Sequence, residues 1–125
     1  MKNVLSALAV GTALLLVGCA TPNAAKLYDT TLQIERGMSY QEVLELVSEY
    51  LVQRTFRGRG TALQYCVADK MAERSSYAVV WMIDDKVEGL TQYDLWSGWH
   101  SCERGFREID WGQAPADVKI KLNID

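Results

Sequence analysis

The chain has 125 residues, with 13 basic against 16 acidic for a formal charge of −3, and 49% of its residues are hydrophobic. That length suits one domain, and the apolar share, with four Trp and six Tyr, suffices for a packed core. The acidic balance argues against nucleic acid or another polyanion as the main partner.

Lys2 is followed by "VLSALAVGTALLLVG", Val4 to Gly18, which contains no charged residue. A basic head, an apolar middle and small residues at its end are the build of a signal peptide. The run is shorter than the roughly 20 apolar residues that a spanning helix needs. Leu16-Val17-Gly18-Cys19 then resembles the lipobox of bacterial lipoproteins. The resemblance implies cleavage before Cys19, a diacylglycerol thioether on its sulfur and an acyl chain on its new amino group. Each buried methylene contributes about 0.8 kcal/mol, so two or three chains hold a protein to a bilayer. Ala20 in place of Asp favours, by the same resemblance, the periplasmic side of the outer membrane over the inner membrane. The alternative is an ordinary signal peptide with an incidental cysteine. Cleavage at Cys19 leaves residues 19–125, with 12 basic and 16 acidic residues. "ATPNAAK", 20–26, reads as a tether in which Pro22 and Asn23 resist helix, so the domain proper is expected over 27–125.

A first helix is expected over about Ala24 to Gln33, with Leu27, Tyr28 and Leu32 sharing a face. "ERGMSYQEVLELVSEYL" carries the clearest local signal. Ser39 followed by Glu42 is a capping box, in which the serine oxygen accepts a backbone N–H and the glutamate reaches back. Tyr40, Val43, Leu44, Val47 and Leu51 recur at helical spacing, and Glu42, Glu45 and Glu49 form a solvated face, predicting a helix from Tyr40 to about Tyr50.

Strand patterns follow. "LVQRTFR" and "TALQYCV" flank a turn at Gly58-Arg59-Gly60, and "SYAVVWMI" and "VEGLTQYDLW" flank one at Asp84-Asp85-Lys86. "ADKMAERS" between the pairs is a polar loop. "VKIKL", 118–122, alternates and predicts a short edge strand blunted by its lysines. The result is an α+β fold, one or two N-terminal helices on an antiparallel sheet of three to four strands. One strand stands out, because Tyr77, Val79, Trp81 and Ile83 point one way while Ala78, Val80 and Met82 point the other. Helices can cover one apolar face. The aromatic segment holding Tyr93, Trp96, Trp99, Phe106 and Trp111 is expected to cover the second, the rival being a surface cluster that docks a protein or glycan.

Gly37-Met38-Ser39 with Glu42 and Val43 resembles the Gly-Met-Ser/Thr-x-x-Glu-Val signature of the SmpA/OmlA family, the BamE-like outer-membrane lipoproteins. The resemblance implies two helices packed on a three-stranded antiparallel sheet and a part in assembling outer-membrane proteins. The chain departs from the pattern at Val47-Ser48-Glu49-Tyr50, where the family has Leu-Gly-x-Pro. The Cys66, Cys102 pair and the "GFREIDWGQAP" tail depart from it too, as in a divergent member.

Apart from Cys19, the cysteines are Cys66 and Cys102. In an oxidising envelope compartment such a pair predicts a disulfide. The competing uses are a catalytic cysteine with His100 as base, an incomplete metal set of two Cys and one His, or two buried thiols. "RGRG" lacks the spacing of a phosphate loop, and Arg54, Arg57 and Arg59 form either a basic patch or a solvated strand end. Asp94, Glu103, Glu108 and Asp110 lie near aromatic residues, but no spacing singles out a glycosidase pair. No catalytic residue, metal or cofactor is expected. Candidate functional residues are therefore Cys19 for lipid, Cys66 and Cys102 for the bridge, and Trp96, Trp99, His100 and Trp111 for partner contact. The expected function is a non-enzymatic lipoprotein that binds an envelope protein and supports outer-membrane assembly or envelope integrity. The alternative is an inhibitor of a cell-wall hydrolase, acting through 68–75 or 97–101 with His100 or Asp69 entering the enzyme. A peptidoglycan hydrolase is a third option.

Overall fold

A computed structural model describes residues 24–69, 74–96 and 102–124, so Cys19 and its leader lie outside the described residues. Helices α1 (Ala24–Gln33) and α2 (Tyr40–Leu46) precede strands β1 (Leu51–Arg57), β2 (Gly60–Asp69), β3 (Arg74–Ile83) and β4 (Lys86–Trp96). The strands form one antiparallel sheet in the order β1-β2-β3-β4. Helix α3 (Cys102–Gly105), a 3-10 turn (Trp111–Gln113) and α4 (Ala116–Lys121) follow. The α+β architecture is the expected one, with four strands where the family resemblance implied three.

Turn chemistry makes the hairpins. Asp84 and Asp85 both take positive φ, 50° and 59°, the mirror-image turn whose twist matches the flanking strands. Ser39 caps α2 by accepting from the Glu42 N–H at 3.2 Å. The helix stops at Leu46, four residues before the expected end, and closes with the Tyr50 N–H on the Val47 carbonyl at 2.9 Å. That tighter turn brings Tyr50 inward, and the chain enters β1 directly.

Helix α1 spans the expected residues, but its buried face is different. Leu27, Thr30 and Thr31 are buried, whereas Tyr28 and Leu32 are 57% and 64% exposed. The threonines satisfy themselves inside. Thr30 Oγ1 lies 3.0 Å from the Tyr50 hydroxyl, and Thr31 Oγ1 accepts from Gln92 Nε2 at 3.0 Å.

The expected edge strand at 118–122 is instead part of α4. Its alternation over five residues also fits i and i+4 spacing, and Pro115 starts a helix there. Val118 is fully buried, Leu122 packs beside the same core, and Ile120 is 72% exposed.

β3 holds the two layers together. On one face Ala78, Val80 and Met82 join Leu27, Val43, Val47, Leu63 and Tyr65. On the other, Val79, Trp81 and Ile83 join Ala62, Trp111, Ala114 and Val118. The second face is thus covered, and by the C-terminal segment. Two glycines permit the approach. A Cβ on Gly60 would come within 2.7 Å of Leu122 Cδ1, and one on Gly89 within 2.7 Å of Pro115 Cγ.

One core group is unsatisfied. Tyr65 is fully buried, and its hydroxyl has no hydrogen-bond partner among the described residues. Tyr65→Phe is therefore expected to keep or raise the denaturation midpoint, since an unpaired buried hydroxyl costs about 1–3 kcal/mol. Tyr50→Phe, which breaks the Thr30 contact, is expected to lose about 1 kcal/mol. A loss above that from Tyr65→Phe in urea titration would contradict this assignment.

Candidate binding surfaces

A cleft of about 280 Å³ lies between the second face of the sheet and residues 107–113. Strand alternation supplies its floor, with Val79 and Trp81 from β3 and Thr91 and Tyr93 from β4. Gln64, fully buried on β2, ties the wall to the floor. Its Nε2 donates to the Arg107 carbonyl at 3.1 Å, while its Oε1 accepts from the Arg107 N–H at 3.2 Å and from the Tyr93 hydroxyl. The side-chain amide thus pairs Arg107 much as a neighbouring strand would. Nothing in "TALQYCV" beyond a polar residue at an inward position signals this role.

The rings of the cleft are committed to one another. Trp81 donates from Nε1 to Thr91 Oγ1 at 3.0 Å and meets Trp111 edge-on, with centroids 5.4 Å apart. Tyr93 stacks on Tyr77 at 4.7 Å and carries the Arg107 guanidinium 4.3 Å from its ring centre. The rim adds Glu108, Asp110 and Gln113, and Asp110 accepts from the Gly112 N–H at 2.9 Å. Among the described residues the lining contains no cysteine, serine or histidine. Its chemistry is hydrogen bonding around an apolar floor.

Cys66 and Cys102 form a disulfide with Cα atoms 5.7 Å apart. Cys66 faces the second layer from β2 opposite Tyr77, and Cys102 opens α3. The bridge draws α3 over the sheet, where Phe106 meets Tyr77 edge-on at 5.7 Å. A side chain at Gly105 would collide with the Tyr77 hydroxyl.

The residues expected to contact a partner separate. Trp111 is 7% exposed and belongs to the second core, so burial against Trp81 corrects its place as a surface contact. Trp96 ends β4 opposite Arg74, and its side chain lies outside the described residues, as do Trp99, His100 and Cys19. Of the two loops named for an inhibitor, 70–73 and 97–101 also lie outside them. Among the described residues no group of three or more His, Cys, Asp or Glu side chains converges, and no helix is long and apolar enough to cross a membrane.

The arginines weighed as a basic patch or a solvated strand end are mostly engaged. Arg59 makes a forked pair with Asp84, and Arg54 lies 3.5 Å from Asp85. Arg54 also lies over the rings of Tyr40 and Phe56, at 3.8 and 4.4 Å. Arg54 and Phe56 belong to β1, one of the two outer strands of the sheet, where Leu51 and Phe56 are 44% and 62% exposed. No known family model, characterised protein or solved structure matches this chain.

Two measurements follow from the second layer. The bridge closes a 36-residue separation, and the chain-entropy treatment gives about 4 kcal/mol for such a loop. Reduction is expected to lower the melting temperature while circular dichroism of the cold protein changes little. An unchanged melting temperature would contradict that. The second concerns alkali. Burial pushes the Tyr93 hydroxyl up to about 12, and it also raises Tyr77 and Tyr65 above the usual 10. The unfolded chain releases these protons near pH 10 while the folded chain keeps them. The stabilisation from Tyr93 is complete below pH 10 and is lost as the pH rises through about 12, and Tyr77 and Tyr65 contribute in the same direction. Absorbance at tyrosinate wavelengths should show these three titrating together with unfolding, and smooth titration near pH 10 would contradict their burial.

Proposed function

We propose that the mature protein is a lipoprotein anchored through Cys19 to the periplasmic side of the outer membrane. There it binds an envelope protein, without enzymatic activity, and supports outer-membrane assembly or envelope integrity. The anchor rests on the Leu16-Val17-Gly18-Cys19 resemblance, and the assembly role on the Gly37-Met38-Ser39 signature. The observation that carries the binding role is the open outer strand β1, with Leu51 and Phe56 exposed at either end of it. Both sheet faces are closed by helices or by the C-terminal segment, so the sheet offers a partner its edge.

Crosslinking in intact cells, recovery from the membrane fraction and peptide identification test this reading. Barrel-assembly components are the expected partners. A cell-wall hydrolase in their place would favour the inhibitor reading. Turnover of purified cell-wall material by the purified protein would contradict both. In the same cells Cys19→Ala is expected to leave an unprocessed or soluble form, and normal membrane partition of that variant would contradict the anchor.

A further inference from the structure

The register of β1 identifies which of its backbone groups are unused. Arg57 pairs with Gly60 across a two-residue turn, and Gly58 takes a φ of 55° there. The pair flanking such a turn is hydrogen-bonded, and bonded and non-bonded pairs alternate along an antiparallel ladder. Arg57, Thr55, Gln53 and Leu51 therefore turn their backbone groups to β2. Phe56, Arg54 and Val52 turn theirs outward, and none of the three makes a backbone hydrogen bond elsewhere among the described residues. Three N–H and three C=O groups thus form an open ladder.

The side chains of the same three residues share the face that carries α2. Val52 packs on the first core, and Phe56 is largely exposed. Arg54, the charge that would ordinarily protect such an edge, is laid back over Tyr40 and Phe56 with only the exposed Asp85 carboxylate near it, at 3.5 Å, and leaves the ladder clear. Leu51–Arg57 contains two arginines and no acidic residue. Arg57 is exposed and makes no ion pair among the described residues.

Building on the protein-binding reading, we propose that β1 receives an extended acidic segment of an envelope protein as a fifth strand of the sheet. The ladder supplies main-chain pairing that is blind to sequence, and the side chains supply the selection. Apolar residues of the incoming strand lie beside Val52 and Phe56, and an acidic one beside Arg54, giving the spacing apolar-x-acidic-x-apolar. A second acidic residue on the opposite face meets Arg57. A second copy of this chain does not fit. The two-fold antiparallel register that uses all three outward residues sets Arg54 against Arg54, and like charges directly opposite destabilise a sheet.

The test uses the full lipidated chain in detergent micelles and two synthetic peptides. One repeats Val-Thr-Glu-Thr, and the other replaces each Glu by Lys. The expected result is new protection from hydrogen exchange at the amides of Val52, Arg54 and Phe56 with the Glu peptide. The Glu peptide should also bind at least ~10-fold more tightly than the Lys peptide. Arg54→Pro, which deletes an outward N–H that β2 does not use, should abolish binding, while Arg54→Gln should reduce only the preference for Glu. The exchange map of the unmutated chain is decisive even where the proline variant folds poorly. The proposal is overturned by unchanged exchange at those amides or by equal affinity for the two peptides. Protection that grows with protein concentration alone would also overturn it, since the occupant would then be a second copy. If membrane crosslinking still recovers a partner while these amides do not respond, the binding role stands and the edge is not its site.

Discussion

The fold depends on one strand that cannot be left half-exposed. β3 presents apolar side chains to both faces, and residues 75–83 are buried without exception. Most antiparallel sheets wet one face and alternate polar with apolar residues, whereas this strand requires a cover on each side. The helices supply the first cover. A segment of short helices and turns supplies the second, and helices of four to six residues cannot hold their place by helix propensity alone. Its position comes from the bridge at Cys66, the pairing of Gln64 with the Arg107 backbone, and Trp111 lodged against Trp81.

The two covers are also joined to each other. Gly37, with a φ of 91°, donates to the Val87 carbonyl at 2.8 Å, Met38 accepts from the Val87 N–H at 2.9 Å, and Tyr40 donates to Asp85 at 3.0 Å. The short signature that resembles a lipoprotein family is thus a clip between the helical layer and the β3–β4 hairpin. Glu88 sits beside it at a bulge, unpaired in the ladder. It is bonded by Lys121 of α4 and by Arg36 of the α1–α2 loop, which also reaches Asp117 at 3.1 Å. Those partners, Lys121 first, hold the Glu88 carboxyl below its usual range. One acid therefore links both layers beside the start of β4.

What was legible in the sequence was local or compartmental. The serine cap needs only Ser39, although the Glu42 side chain does not reach back to complete a capping box, the second hairpin needs only Asp84 and Asp85, and the pairing of Cys66 with Cys102 was expected from the compartment that the lipobox resemblance implies. The demand for a second cover was legible too, because period-two alternation puts large apolar residues on both sides of β3. What was hidden depended on tertiary partners. Thr30 and Thr31 turn α1 by burying hydroxyls that hydrophobic periodicity does not count. Val118, Ile120 and Leu122 fit period two as well as i, i+4 over so short a run, and only contact with Ala62 and Trp81 decides. Trp111 fits both the expected cover and a partner contact, and only Trp81 beside it decides for the core. The cleft at Gln64 depends on a contact 43 residues away in the chain.

The functional reading inherits this arrangement. With both faces occupied, what the sheet presents is its edges, and the proposed anchored protein would need little more than one selective edge, such as β1, to hold a partner near the membrane. That argument stands on β3 being a shared core in which both layers fold as one unit. Native-state hydrogen exchange at the Val79, Val80 and Trp81 amides, in Val43→Ala and in Val118→Ala, tests it most directly. Each valine is fully buried, one in each layer, and each truncation should cost about 2 kcal/mol. The account predicts that either change lowers protection at all three amides by the full loss in global stability. Unaltered protection of β3 in Val118→Ala, with the C-terminal segment opening alone, would contradict it.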